Sequence, residues 1–177
     1  MDIHAEDRGV VPTLTTGDLT LRPLARSDRD RVVTALNDWE VTRWLTMVPY
    51  PYAPADFDWF LDHFILETGH KVWAIDAGAG LIGCVGVHPE LGYWLAPKSH
   101  GKGVMTRAAT RVVAWHFDHS EDGLTSGYHL GNGASARVLD KLGFQATHVE
   151  QATTARGDAV RTQRVALSRA EWNARHD

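Results

Sequence analysis

The sequence predicts an α+β domain, a mixed sheet with helices on its faces, and three observations predict it. Apolar residues alternate at period two in several short segments. In others they recur at helical spacing, as at Phe57, Phe60, Leu61, Phe64 and Ile65. The two kinds interleave along the chain as strand, two helices, three strands, helix, strand, helix and two strands, rather than falling into separate blocks. At 177 residues the chain suits one domain spanning 1–177, large enough to bury a core without disulfides or a structural metal.

Residues 1–17 are polar and are expected to fray. Leu19–Leu24 alternates like a strand. Ser27 followed by Asp30 has the spacing of a capping box, and Val32, Val33 and Leu36 then predict a short helix ending near Asn37. The stretch from Trp39 to Pro54 holds Trp39, Trp44, Tyr50 and Tyr52 among three prolines, too many breakers for one continuous helix. A helix with one apolar face follows from Pro54. Lys71–Asp76 and Leu81–His88 read as strands joined by Ala77-Gly-Ala-Gly80, and Glu90–Leu95 as the return strand of a tight hairpin.

After Pro97 comes a glycine-containing turn, Ser99-His-Gly-Lys-Gly103, and then a helix from about Val104 to Phe117 with Val104, Ala108, Val112 and Trp115 on one face. Leu124–Leu130 is a further strand. Ala134–Leu142 is a helix with Val138, Leu139 and Leu142 inward and Gly143 as its stop. Gln145–Ala152 and Val160–Leu167 form a closing hairpin, and Ser168 with Glu171 caps a terminal helix.

Composition narrows the function classes. Hydrophobic residues are 44% and charged ones 23%, ordinary for a folded protein. A net charge of −4 with scattered basic residues argues against nucleic acid as partner and suits a cationic substrate such as an amine. Cys84 is the only cysteine, so neither an intrachain disulfide nor a cysteine zinc site is available. In mid-strand it reads as a buried, inert thiol. His116 and His119 lie at i, i+3 but lack a third ligand, and no metal is expected. With no signal-peptide pattern and no apolar run of about 20 residues, a cytoplasmic protein without membrane contact is expected, either monomer or homodimer.

The most informative segment runs from Tyr93 to Thr106. A strand enters a glycine-bearing turn, and the turn opens directly into a helix. Glycines let backbone N–H groups approach an anion, and a helix start adds unpaired donors and partial positive charge. Two common phosphate loops are excluded: Lys102 is followed by Gly103 rather than Ser or Thr, and Thr106 stands where a dinucleotide fingerprint has its third glycine. The remaining readings are a purely structural turn and a pyrophosphate cradle.

Glu90-Leu-Gly-Tyr-Trp-Leu-Ala-Pro97 leading into His100-Gly-Lys-Gly-Val-Met105 closely resembles the acetyl-CoA motif of the GNAT superfamily. Asn132-Gly-Ala-Ser-Ala-Arg-Val-Leu-Asp-Lys-Leu-Gly-Phe144 resembles the Asn-x-x-Ser…Lys-Leu-Gly-Phe signature of the same enzymes. Leu21-Arg-Pro-Leu24 and Asn37-Asp-Trp-Glu-Val-Thr-Arg-Trp44 resemble the start of its RimJ/RimL-like branch, the ribosomal-protein N-terminal acetyltransferases. The likeness spans about residues 19 to 172. Two positions depart from the pattern: His100 stands where Arg or Gln is usual, and Met105 where Gly or Ala is usual. Backbone donors do most of the phosphate binding in such a loop, and His100 retains a ring N–H for one further bond.

The resemblance implies a GNAT fold: a mixed, mostly antiparallel sheet, a splayed pair of strands (Gly92–Ala96 and Leu124–Leu130) and helices on both faces. It implies acetyl-CoA as acyl donor, an amine as acceptor, and direct attack through a tetrahedral intermediate. Leu95, Ala96, His100, Gly101, Lys102, Gly103, Val104, Met105, Thr106, Asn132 and Ser135 become the expected cofactor-binding residues. The backbone N–H near Leu95 becomes the oxyanion donor, and Ser135 the residue beside the sulfur. Glu90 is the expected base, acting through a water, with a solvated hairpin glutamate as the other reading. A protein α-amine, of pKa about 8, needs less help in losing its proton than a lysine of about 10.4. A peptide N-terminus is therefore the first acceptor expected. A small amine and a non-catalytic acyl-CoA sensor are the alternatives. The aromatic stretch Trp39–Tyr52 is expected to wall the acceptor site or, failing that, to pack the helices onto the sheet.

Overall fold

A computed structural model of the protein describes residues 10–87 and 89–176. Strands β1 (Leu14–Thr16), β2 (Leu19–Pro23), β3 (Lys71–Asp76), β4 (Leu81–Val87) and β5 (Leu91–Leu95) form one antiparallel sheet in chain order. Strands β6 (Leu124–His129), β7 (Gln145–Thr153) and β8 (Ala159–Leu167) form a second sheet, in the order β6-β8-β7. Helices α1 (Arg29–Leu36), α2 (Trp39–Thr42), α3 (Pro54–Trp59) and α4 (Ile65–Thr68) precede β3. Helix α5 (Val104–His119) joins the two sheets, α6 (Gly133–Leu142) follows β6, and α7 (Arg169–His176) ends the described chain.

The predicted elements recur with small shifts at their ends, and two expectations change. Residues 10–17 do not fray: Val11 and Leu14 are buried, and β1 adds an edge strand to β2. Alternation over three residues was too short to register as a strand. Residues 1–9, and the last residue of the expected strand Leu81–His88, lie outside the described residues. Ser27 does not cap α1. The Ala25 N–H donates instead to Asp28 Oδ2 at 2.9 Å, and a 3-10 turn over Arg26–Asp28 leads into the helix. The terminal capping box does form, with the Ser168 N–H donating to Glu171 Oε2 at 2.7 Å and the Glu171 N–H to Ser168 Oγ at 3.2 Å. Between α3 and α4 the helix widens into one π turn, Phe60–Phe64, and it stops at Gly69 in the left-handed conformation.

Apolar residues bury on both faces of the five-stranded sheet. One face packs α5 and α6 through Ala108, Val112, Val113, Leu139 and Leu142. The other packs the first helices through Val32, Leu36, Val41 and Phe57, with Cys84 buried among them. Burial pushes the Cys84 thiol far above the ordinary range, so it is inert at working pH. Asp28 fastens α1 to the sheet, accepting from Arg22 Nη1 at 2.9 Å and Nη2 at 2.8 Å while only 3% exposed. Burial opposes its charge, but the Arg22 and Ala25 hydrogen bonds outweigh burial and hold the carboxyl below its usual range. A depressed carboxyl stabilises above the unfolded pKa of about 3.9 and loses that contribution as pH falls through the folded value. Asp28→Ala is expected to cost about 2–3 kcal/mol by urea unfolding at pH 7, and less below pH 4. An equal cost at both pH values would refute the charge argument.

The two sheets meet at β5 and β6, and there they come apart. A single parallel bridge links Glu90 with Thr125. The Thr125 N–H donates to the Pro89 carbonyl at 3.4 Å, and Ser126 Oγ to the Leu91 carbonyl at 2.8 Å. Beyond these contacts the strands belong to separate sheets, leaving a gap through the layer.

Candidate active site

A cleft of about 680 Å³ opens at this gap, lined from both faces of the sheet. From α5 and α6 come Val104, Met105, Thr106, Ser135, Arg137 and Lys141; from the opposite face come Glu40, Trp44, Leu45 and Thr46. Tyr93 and Leu95 of β5 line the middle, with Ser126, Gly127 and Tyr128 of β6 across from them.

The hydrogen-bond register of β5 decides which backbone groups face the gap. The Ala96 N–H donates to the Ile82 carbonyl at 2.8 Å, on the β4 side. Backbone groups alternate sides along a strand, so those of Leu91, Tyr93 and Leu95 point to the open edge. The bond from Ser126 Oγ to the Leu91 carbonyl, on that edge, agrees. Near the bridge β6 occupies the edge; at Tyr93 and Leu95 it lies open to the cleft.

Past Leu95 the chain makes a 3-10 turn at Pro97–Ser99 and then two left-handed glycines, Gly101 (φ 72°) and Gly103 (φ 70°). A Cβ built on either meets nothing within 4 Å. Their conformation suits glycine, and the space in front of them is free. The first helical bond of α5 that reaches back to this turn is Arg107 N–H to the Gly103 carbonyl at 3.1 Å, so the N–H groups of Val104, Met105 and Thr106 lack intrahelical acceptors. Such a turn fits a diphosphate. Met105, the departure from the resembled pattern, buries its side chain with Val104 and Ala108 and leaves the backbone path clear.

Most of the expected site residues gather here: Glu90, Leu95, His100, Gly101, Gly103, Val104, Met105, Thr106, Asn132 and Ser135 all line the cleft. Ala96 and Lys102 do not. Lys102 Nζ donates to the Lys98 carbonyl at 2.8 Å, pulling its charge back onto its own turn. His100 also differs from expectation. Its Nε2 lies 2.6 Å from the Leu95 carbonyl, which only accepts, so Nε2 carries a proton and spends it there. That bond braces the turn against the end of β5 and takes Nε2 away from a phosphate. His116 and His119 are engaged with the Asp122 and Trp115 carbonyls at 2.8 and 2.7 Å. Among the described residues no group of three or more His, Cys, Asp or Glu side chains is placed to hold a metal ion, and no helix is long and apolar enough to cross a membrane.

Asn132 caps α6, its Oδ1 accepting the Ser135 N–H at 3.1 Å, and so points the first turn of that helix at β5. Ser135 Oγ lies 2.8 Å from the Tyr93 hydroxyl, which also reaches the Ser135 carbonyl at 3.3 Å. Burial pushes the Tyr93 phenol up to about 12 against the Ser135 hydrogen bond, so it stays protonated. Glu90 is half exposed and ion-paired with Arg164 Nη1 at 2.8 Å. Of the aromatic stretch, Trp44 lines the cleft, Tyr52 is buried in the core, and Trp39 lies against Tyr50 with ring centroids 5.3 Å apart.

Four charged side chains line the cleft beside His100: Arg137 and Lys141 from α6, Glu40 from α2 and Glu90 from the residue before β5. Sequence reasoning passed over Arg137, Lys141, Arg164 and the Tyr93 hydroxyl. The i, i+4 spacing of Arg137 and Lys141, with Ala134 and Val138 on the same stripe, was the legible signal. Nothing local pairs Tyr93 with Ser135, 42 positions away.

An extended thioester carrying a diphosphate at one end, and a cation approaching from the other face, match this arrangement. Residues 18–145 match the acetyltransferase (GNAT) domain family, and the chain belongs to that family of acetyl-CoA-dependent acyltransferases. It is 24% identical to the Bacillus subtilis protein named "Putative ribosomal N-acetyltransferase YdaF", over 71% of this chain and 77% of that one. Among solved structures it resembles RimL, the ribosomal L7/L12 α-N-protein acetyltransferase in complex with coenzyme A (TM-score 0.74, 19% identity, 90% of this chain and 97% of that one). It also resembles spermidine N-acetyltransferase from Vibrio cholerae in complex with CoA and spermine (TM-score 0.73, 17% identity, 89% and 99%). These likenesses share the fold and include both a protein α-amine acetyltransferase and a polyamine acetyltransferase.

Proposed function

We propose that the protein transfers the acetyl group of acetyl-CoA to a primary amine, the α-amine of a peptide, by direct attack through a tetrahedral intermediate. The observation that carries this reading is the free Leu95 N–H on the open edge of β5. In this reading Arg137 and Lys141 of α6 serve the diphosphate, and Glu40 and Glu90 serve the amine.

In this reading the pantetheine arm lies along Tyr93 and Leu95 as an added strand, and the Leu95 N–H donates to the thioester oxygen as negative charge develops there. The diphosphate rests on the N–H groups of residues 101–106. The Tyr93 phenol donates to Ser135 Oγ, which leaves the serine proton free to meet the departing thiolate. A thiol pKa of about 8.5 makes one such donor sufficient. Glu90, paired with Arg164, takes the part of drawing one proton from the ammonium through a water. Glu90→Gln is expected to lower kcat/KM about tenfold below pH 8, with the loss shrinking at higher pH as the α-amine deprotonates unaided. A loss of the same size at every pH would make Glu90 a wall residue and not a base.

The low pKa of an α-amine and the likeness to YdaF support the peptide acceptor. Glu40 and Glu90 together favour a second reading, a small polyamine held by its charges. The deciding experiment is thiol release from acetyl-CoA with a panel of short peptides, polyamines and aminoglycosides. Turnover confined to peptides supports the proposal, and turnover confined to polyamines selects the second reading. Binding of acetyl-CoA without turnover on any amine would make the protein an acyl-CoA sensor and overturn both.

A further inference from the structure

The tip of the β7–β8 hairpin reaches across to the segment 42–48 that carries Trp44, Leu45 and Thr46 into the cleft. The tip is tightly built. Thr154, only 4% exposed, accepts at Oγ1 from the Arg156 and Asp158 N–H groups at 3.3 and 3.1 Å. The Thr154 N–H donates to the Asp158 carbonyl at 2.9 Å, and Gly157 takes the left-handed conformation needed to turn.

From this tip the Arg156 guanidinium points into the segment. Its Nη1 lies 3.2, 3.1 and 3.3 Å from the carbonyls of Thr42, Leu45 and Val48. Its Nε pairs with Asp158 at 3.4 Å, and its plane lies over the Trp39 ring at 5.4 Å. The side chain is 9% exposed, unusual for an arginine at a hairpin tip. Thr42 ends α2, and its carbonyl, which already accepts the Leu45 N–H at 3.0 Å, takes the guanidinium on its second lone pair. Two weaker clips flank it: the Ala155 N–H donates to the Thr46 carbonyl at 2.7 Å, and Thr46 Oγ1 lies 2.9 Å from His129 Nε2.

We propose that Arg156 is a positioning residue for the amine acceptor: by gathering three carbonyls of segment 42–48 on one guanidinium, it sets where Trp44, Leu45 and Thr46 stand in the cleft. It touches neither reacting atom. A seven-residue stretch between a short helix and a proline-rich loop has few internal bonds of its own, so its shape depends on what it is tied to. Because the tie comes from a hairpin 108 to 114 residues further along the chain, acceptor fit depends on that hairpin. The specificity role rests on the acceptor end assigned in the proposed function; the clamp does not.

The test uses the full chain with Arg156→Met, which removes the charge and the donors, and Arg156→Lys, which keeps a cation and three donors on a shorter stem. For Arg156→Met the expected result is an acceptor KM raised about tenfold or more with the acetyl-CoA KM within about twofold, and hydrogen exchange of amides 43–48 accelerated by at least about tenfold while β3–β5 are unchanged. Arg156→Lys should fall between wild type and Arg156→Met in both readouts. A parallel rise in both KM values, or a fall in kcat alone, would overturn the specificity role. Unchanged exchange in 43–48 would overturn the clamp. Should the wild type acetylate no amine, the specificity role falls with the acceptor reading, and exchange alone still decides the clamp.

Discussion

Gly103→Val is expected to weaken acetyl-CoA binding about 100-fold in a calorimetric titration, while the protein remains folded. The residue has φ 70°, which a β-branched side chain adopts only at a cost of about 1–3 kcal/mol, and the chain relieves that strain by moving the turn. The donors at risk are the N–H groups at the start of α5. A hydrogen bond to a charged group contributes about 1.5–3 kcal/mol, so misplacing one or two gives the stated loss. The structure supplies its own control. Gly69, at the end of α4, has almost the same conformation (φ 71°, ψ 14°, against 70° and 9°) and equally open surroundings, but does not line the cleft. Gly69→Val should cost similar stability and leave affinity unchanged. Equal affinity for the two variants would remove the diphosphate from the glycine turn.

Ser135→Ala is expected to lower kcat about 30- to 100-fold with acetyl-CoA affinity changed less than about threefold, the range set by loss of a positioned proton donor. The cap on α6 survives because Asn132 accepts from the Ser135 backbone, not its side chain. Tyr93→Phe should reproduce part of the effect, since it removes the phenol that orients Ser135 Oγ but leaves the hydroxyl in place. Pre-steady-state release of thiol would locate the loss in the chemical step. If Ser135→Ala leaves both kcat and affinity at wild-type values, the serine serves only the first turn of its helix.

Much of this was written locally. The order of elements, the Gly143 stop and the Ser168–Glu171 box depend on neighbours within four or five positions, and so does the pair of left-handed glycines before α5. Local patterns of that kind are what sequence periodicity reports. The likeness of residues 90–105 and 132–144 to one family's motifs extended this reach to a cofactor and a set of site residues. Where the structure places a side chain differently, the cause is a competing acceptor close by. His100 was read as a phosphate donor, but the Leu95 carbonyl five residues back takes its proton. Lys102 is expected to bind the cofactor, and its own turn holds its ammonium.

By itself, then, the sequence determined the alternation of strands and helices, the glycine turn and its helix, and the placing of Asn132 and Ser135 at a helix start, all set by backbone conformation over a few residues. Only the tertiary structure decided that the expected splay of β5 from β6 begins at the Glu90–Thr125 bridge, that Tyr93 meets Ser135, that Arg164 holds Glu90, and that Arg156 gathers the carbonyls of segment 42–48. Each of those joins groups 35 to 114 positions apart. Their encounter is fixed by how two sheets and their helices bury apolar faces together, which no local pattern encodes.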